Sequence, residues 1–150
     1  MHITRKDDPI ENEFTILIAE DDLEDMELIM EAFASIKDNL HLLFFSDGRS
    51  ALDWLMACPS ERMPCLIILD YNMPEMNGGQ VLKKLCGEKK FRSVPKVILS
   101  TATNRVFSEE CLGFGADAYR VKPSTFGALV TIAREMLDLC STESATLKNS

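Results

Sequence analysis

The stretch Thr15-Ile16-Leu17-Ile18-Ala19-Glu20-Asp21-Asp22 decides how this chain folds. A continuous run rich in β-formers ends abruptly in three acids. A half-exposed strand alternates apolar and polar residues, so an unbroken run points to a strand covered on both faces, as in a parallel sheet. The period then changes. Leu23, Met26, Ile29, Met30, Phe33 and Ile36 recur at three- and four-residue steps, with Glu24, Asp25, Glu27 and Glu31 among them. That is an amphipathic helix with acids near its N-terminus, where the helix dipole favours them.

The same unit recurs along the chain. Leu40 to Phe45 reads as a second strand, stopped by Ser46-Asp47-Gly48 and followed by a short helix carrying Ala51, Leu52, Leu55 and Met56. Cys65 to Leu69 is a third strand, with a loop and then a helix from about Gly79 to Cys86. Pro95 introduces a fourth strand, Lys96 to Leu99, and a helix from about Arg105 to Leu112 that Gly113 and Gly115 stop. Ala118 to Val121 is a weaker fifth strand. Phe126, Leu129, Val130, Ala133, Met136, Leu137 and Cys140 mark the last helix. Five strand–helix alternations predict an α/β fold: an open, doubly wound, five-stranded parallel sheet in a three-layer sandwich, with right-handed crossovers placing helices on both faces. The runs alone do not fix strand order. Residues 1–13 read as a flexible lead-in, 14–140 as one domain and 141–150 as a frayed tail.

Bulk composition narrows the function. The 150 residues are 46% hydrophobic and 27% charged, ordinary for a globular protein. No apolar run approaches the ~20 residues that span a bilayer, and the N-terminus lacks a secretory signal, which implies a cytoplasmic protein without a membrane partner. The formal charge of -8 argues against direct binding of nucleic acid, which draws on positive charge. The five cysteines, Cys58, Cys65, Cys86, Cys111 and Cys140, include no C-x-x-C pair, and His2 and His41 stand alone. The pattern excludes a structural zinc site and implies thiols in a reducing compartment rather than a disulfide framework.

Ligands of open parallel sheets bind beyond the carboxyl ends of the strands. There this sequence places Glu20-Asp21-Asp22 after the first strand, Asp70 after the third, Ser100-Thr101 after the fourth and Lys122-Pro123 after the fifth. Gathered carboxylates repel one another unless a cation intervenes, and an oxygen-only set suits a hard ion such as Mg²⁺. Lys122 would face a phosphoryl group as a compact positive charge, and Ser100 could donate a hydroxyl to it. Each residue alone has a plainer reading. Asp21 and Asp22 serve equally well as helix caps, Asp70 as a turn residue before Pro74, Ser100 or Thr101 as a cap, and Lys122 as a solvated charge. Their joint placement at successive strand ends favours a site.

Leu69-Asp70-Tyr71-Asn72-Met73-Pro74-Glu75-Met76-Asn77-Gly78 resembles the segment around the phosphorylated aspartate of bacterial receiver domains, the response-regulator fold of two-component signalling. Ile16 to Asp22, Val97 to Thr101 and Ala116 to Pro123 are similar to that family's other signatures, and the resemblance covers roughly Phe14 to Cys140. It implies a flavodoxin-like (βα)5 sheet in the order 2-1-3-4-5. It implies Asp70 as phosphoacceptor, with Glu20 and Asp21 as the acidic pocket and Mg²⁺ held by Glu20, Asp21, Asp70 and the Asn72 carbonyl. Lys122 would pair with the phosphoryl group, Ser100 would sense it, Tyr119 would be the aromatic switch and the Lys122–Pro123 peptide would be cis. Setting the acidic pair on Asp21-Asp22 instead would move the metal ligand by one residue.

The resemblance further implies a stand-alone signalling domain rather than an enzyme with its own substrate. A sensor histidine kinase or a phosphotransfer protein would supply the phosphoryl group, and a separate effector protein would read the output, with homodimerisation through the same surface as an option. A Mg²⁺-dependent aspartyl-phosphate hydrolase is the alternative. Such phosphatases place the nucleophile after the first strand with a second acid two residues on, whereas here Asp70 follows the third strand and its second neighbour is Asn72. A module that has lost phosphorylation would lack Asp70, Asp21 or Lys122, and a flavin site would need a glycine loop after the first strand.

Overall fold

The computed structural model describes residues 2–3 and 14–149, with side chains over 14–140. Strands β1 (Thr15–Ala19), β2 (His41–Phe45), β3 (Leu66–Leu69), β4 (Lys96–Ser100) and β5 (Ala118–Val121) pair in parallel in the order β2-β1-β3-β4-β5. Helices α1 (Leu23–Ala34), α2 (Gly48–Ala57), α3 (Gly78–Cys86), α4 (Arg105–Gly113) and α5 (Phe126–Asn149) alternate with them. Among the described residues no helix is long and apolar enough to cross a membrane.

The unbroken apolar runs have the expected cause. In β1, Ile16 and Ile18 face the core beneath α1 and α5, packing with Ile29, Phe33 and Met136, while Leu17 and Ala19 face the opposite core with Ala51, Val81 and Leu85. β3 divides in the same way, Leu66 and Ile68 to one side and Ile67 and Leu69 to the other. All five residues of β1 are buried, so this central strand permits no polar face.

Three departures from the sequence reading have local causes. His2–Ile3, assigned to the lead-in, forms a short strand parallel to β2, satisfying backbone groups on what would otherwise be a bare sheet edge. Met1 and residues 4–13 lie outside the described residues. The last helix does not end at Cys140 but runs to Asn149, because no glycine or proline follows Gly127 to stop it. Cys65 and Cys140 are joined in a disulfide across 75 residues, their Cα atoms 5.4 Å apart, which corrects the expectation of reduced thiols for this pair. Spacing carried no sign of it; the packing of α5 against the sheet brings the two together. Cys58, Cys86 and Cys111 are free.

Beyond β3, the loop from Asp70 to Asn77 is closed tightly. The Gly78 amide donates to the Tyr71 carbonyl at 2.8 Å, and a Cβ on Gly78 would stand 2.6 Å from the Asp70 carbonyl oxygen. Asn77 caps α3 in a reciprocal box with Gln80. Gly78→Ala is expected to lower stability by about 1–3 kcal/mol, because the obstructing atom is backbone and cannot swing aside. Gly113→Ala, where a Cβ meets nothing within 4 Å, should leave the denaturation midpoint unchanged or raised. Chemical denaturation of both variants checks the contrast.

Candidate functional site

The carboxyl ends of β1, β3, β4 and β5 bring the site together. The Glu20 amide donates to the Phe45 carbonyl and the Asp70 amide to the Ala19 carbonyl, so both acids are fixed by the last rungs of the sheet. Glu20 and Asp70 are buried and Asp21 is exposed, yet the three offer carboxylate oxygens that all lie within 4.8 Å of one another. Asp22 turns away. It is the N-cap of α1, its Oδ1 accepting from the Asp25 amide at 3.0 Å, so the clustered acidic pair is Glu20-Asp21.

Lys122 enters from the end of β5, where its amide donates to the Ser100 carbonyl at 2.8 Å. Its ammonium stands 2.6 Å from Glu20 Oε2, 2.7 Å from Asp25 Oδ2 and 3.3 Å from Asp70 Oδ2. The Lys122–Pro123 peptide is trans, which corrects the expected cis bond. The lysine reaches all three carboxylates with the ordinary isomer, so nothing here requires the costlier one. Asp25 was legible in the sequence only as a helix-dipole acid. Its place in the first turn of α1, directly after the acidic run, is the signal that sets it near the site.

The remaining candidates surround this group. Asn72 is exposed, and its amide donates to Asp70 Oδ1 at 3.3 Å. Ser100 is fully buried, and its hydroxyl accepts from the Ala102 amide at 3.3 Å. Tyr119 is half-buried and donates its hydroxyl to the Ala102 carbonyl at 2.8 Å. Burial pushes its phenol above the usual range, keeping it a neutral donor. Ser100 and Tyr119 therefore hold the same residue, Ala102, at the start of the loop that leads to α4.

Electrostatically the pocket is an anion cluster with one cation. Burial, with the Asp70 charge adding to it, pushes the Glu20 carboxyl from 4.5 up to about 7 against the opposing bonds from Lys122 and the Asp22 amide. Burial pulls the Lys122 ammonium down, but its hydrogen bonds to Asp25 and Glu20 and the charges of Glu20 and Asp70 outweigh that and hold it above its ordinary range. Such an arrangement can take a hard cation on its oxygens, and it can set a carboxylate beside an ammonium where an anionic group would arrive.

The family model for the response regulator receiver domain matches residues 16–134. The chain belongs to this family. As a receiver it is part of the two-component signalling group, whose domains act in signalling. It is 28% identical over 128 residues to the probable methanogenesis regulatory protein FilR2 of Methanothrix harundinacea, covering 84% of this chain and 83% of that one. It is 35% identical over 80 residues to a chemotaxis protein CheY homolog of Campylobacter jejuni, covering 53% of this chain and 62% of that one. The crystal structure of the phosphorylated cyanobacterial phytochrome response regulator RcpA superposes with a TM-score of 0.73 at 27% identity, covering 81% of this receiver and 89% of that chain.

A raised carboxyl pKa has a definite sign in stability. Between pH 4.5 and about 7 the folded receiver holds a proton on Glu20 that the unfolded chain has lost, so this group's contribution declines as pH rises through that window. The stability of the metal-free parent relative to Glu20→Gln should accordingly fall by on the order of 2–3 kcal/mol from the bottom of the window to its top. Denaturation of both proteins across that range measures the difference. A constant gap would show that Glu20 ionises normally.

Proposed function

We propose that this receiver accepts a phosphoryl group on Asp70 and signals through the change of shape that follows. The observation that carries the reading is the convergence of a buried nucleophilic carboxylate, a lysine ammonium 3.3 Å from it, and the Glu20 and Asp21 oxygens within 4.8 Å. An Asp70 oxygen attacks phosphorus, and an O–P bond forms as the donor's P–N bond breaks and its electron pair returns to an imidazole nitrogen. The donor is a phosphohistidine on a sensor histidine kinase or a phosphotransfer protein. Lys122 balances the charge that the phosphoryl oxygens bring. Glu20, Asp21, Asp70 and the Asn72 carbonyl are the residues to hold Mg²⁺; this oxygen-only set fits a hard cation, which when bound neutralises phosphoryl charge. Water attack on the acyl phosphate returns Asp70 to its carboxylate and makes the signal temporary.

The output is a population shift. A phosphoryl oxygen recruits the Ser100 hydroxyl, which releases the Ala102 amide it now accepts from at 3.3 Å. Tyr119, bonded to the same residue's carbonyl, then rotates behind the moved loop. The surface that changes is α4, β5 and the start of α5, roughly residues 104–140. Its reader is a separate effector protein, and a second copy of this chain could dock on the same face. The reading makes residues 14–140 the working unit of a cytoplasmic signalling domain whose only chemistry is to gain and lose its own phosphoryl group.

Incubation with acetyl phosphate and Mg²⁺ is expected to add one phosphoryl group to the parent protein and none to Asp70→Asn, as read by intact-mass spectrometry. Chelation of divalent ions should abolish labelling of the parent. Equal labelling of Asp70→Asn would refute the assignment, and sustained turnover of a phosphate ester would favour the hydrolase instead.

A further inference from the structure

Asp25 lies outside the strand-end set, yet it makes the closer contact with the lysine, 2.7 Å against 3.3 Å for Asp70. It does not cap α1, since Asp22 does. Nor does it stand free in solvent as a first-turn acid serving the dipole would; its side chain is 32% exposed and its carboxylate is turned onto Lys122, 97 residues away in the chain. The pair lines a half-open pocket of about 40 Å³ together with Leu28, Ile29, Leu99, Pro123 and Leu129. Apolar side chains beside an ion pair limit its solvation and so strengthen it. An ammonium has three protons to give, and here three carboxylates surround it.

We propose that Asp25 is a positioning residue, which draws the Lys122 ammonium toward α1 and so keeps the Asp70 carboxylate free to act as a nucleophile. Without Asp25 the ammonium is shared by Glu20 and Asp70 alone. It then closes on Asp70, and a carboxylate paired at shorter range is a poorer nucleophile. The arriving phosphoryl oxygens give Lys122 its third partner, so the lysine can leave Asp25 once the group is in place. The consequence for rate rests on the reading of Asp70 as phosphoacceptor; the placement of the lysine does not.

The test uses the full chain, Asp25→Asn, and Glu24→Gln as a control with the same charge change on the exposed side of the same turn. The side-chain ¹⁵N resonance of Lys122, assigned by its loss in Lys122→Arg, should move in Asp25→Asn and stay in Glu24→Gln. Labelling by acetyl phosphate at saturating Mg²⁺ should slow about tenfold in Asp25→Asn, a size typical of groups that orient a reactive one, and recover in large part in Asp25→Glu. If Asp25→Asn fails to fold, Asp25→Ser carries the same readouts. An unmoved Lys122 resonance overturns the proposal, as does an unchanged labelling rate or an equal response from Glu24→Gln. A parent protein that takes no label at Asp70 sinks the phosphoacceptor reading instead, and the resonance still decides where Asp25 holds the lysine.

Discussion

One ammonium holds the working end of this molecule together. Lys122, just past the last strand of the sheet, is the positive charge among Glu20, Asp25 and Asp70, which come from the end of the central strand, the first turn of α1 and the end of β3. Two of those acids are buried, where an uncompensated negative charge is costly. The pocket is stable as a collection of acids because the lysine is there, and the lysine is charged despite its burial because the acids are there. The parallel sheet makes this mutual dependence possible: it delivers the ends of strands that are distant in sequence to a single rim, with their backbones already bonded to one another.

Tight packing below the rim gives the pocket its fixed geometry. Ile16, Leu17 and Ile18 have essentially no solvent contact, and the two cores share the strands between them. A shift of β1 by one residue would exchange the faces of its side chains and carry Glu20 away from the rim. The hydrophobic pattern that sets the fold therefore also sets the register of the charges. On the rim itself, the groups differ in how they are held. Ser100 and Tyr119 share Ala102, whereas Gly78 and the Asn77–Gln80 box pin the loop that bears Asp70.

Most of the architecture was legible because it follows from periodicity. Unbroken β-runs specified buried parallel strands, and three- and four-residue steps specified the helices between them. Strand order was not, since any parallel strand pairs with any other; it came from the motif resemblance, and the sheet has that order. The acids after Ala19 could be read as caps or as part of a site, and both readings hold, Asp22 in the first role and Glu20-Asp21 in the cluster. Asp25 escaped because a side chain's reach across two elements leaves no mark in spacing beyond one helical turn. The Cys65–Cys140 bond escaped for the same reason, its partners being 75 residues apart. The reach of α5 to Asn149 was underestimated because a polar stretch without glycine or proline looks like a tail until its backbone is seen.

The layering of exposure around the acids has a consequence for whatever approaches them. Glu20 and Asp70 are buried, while Asp21 and Asn72 beside them are exposed. A reagent therefore meets Asp21 and Asn72 before it meets the buried oxygens. With so little of Glu20 and Asp70 exposed, a small group reaches their oxygens more readily than a bulky one does. Discrimination between larger visitors falls to the exposed residues around them.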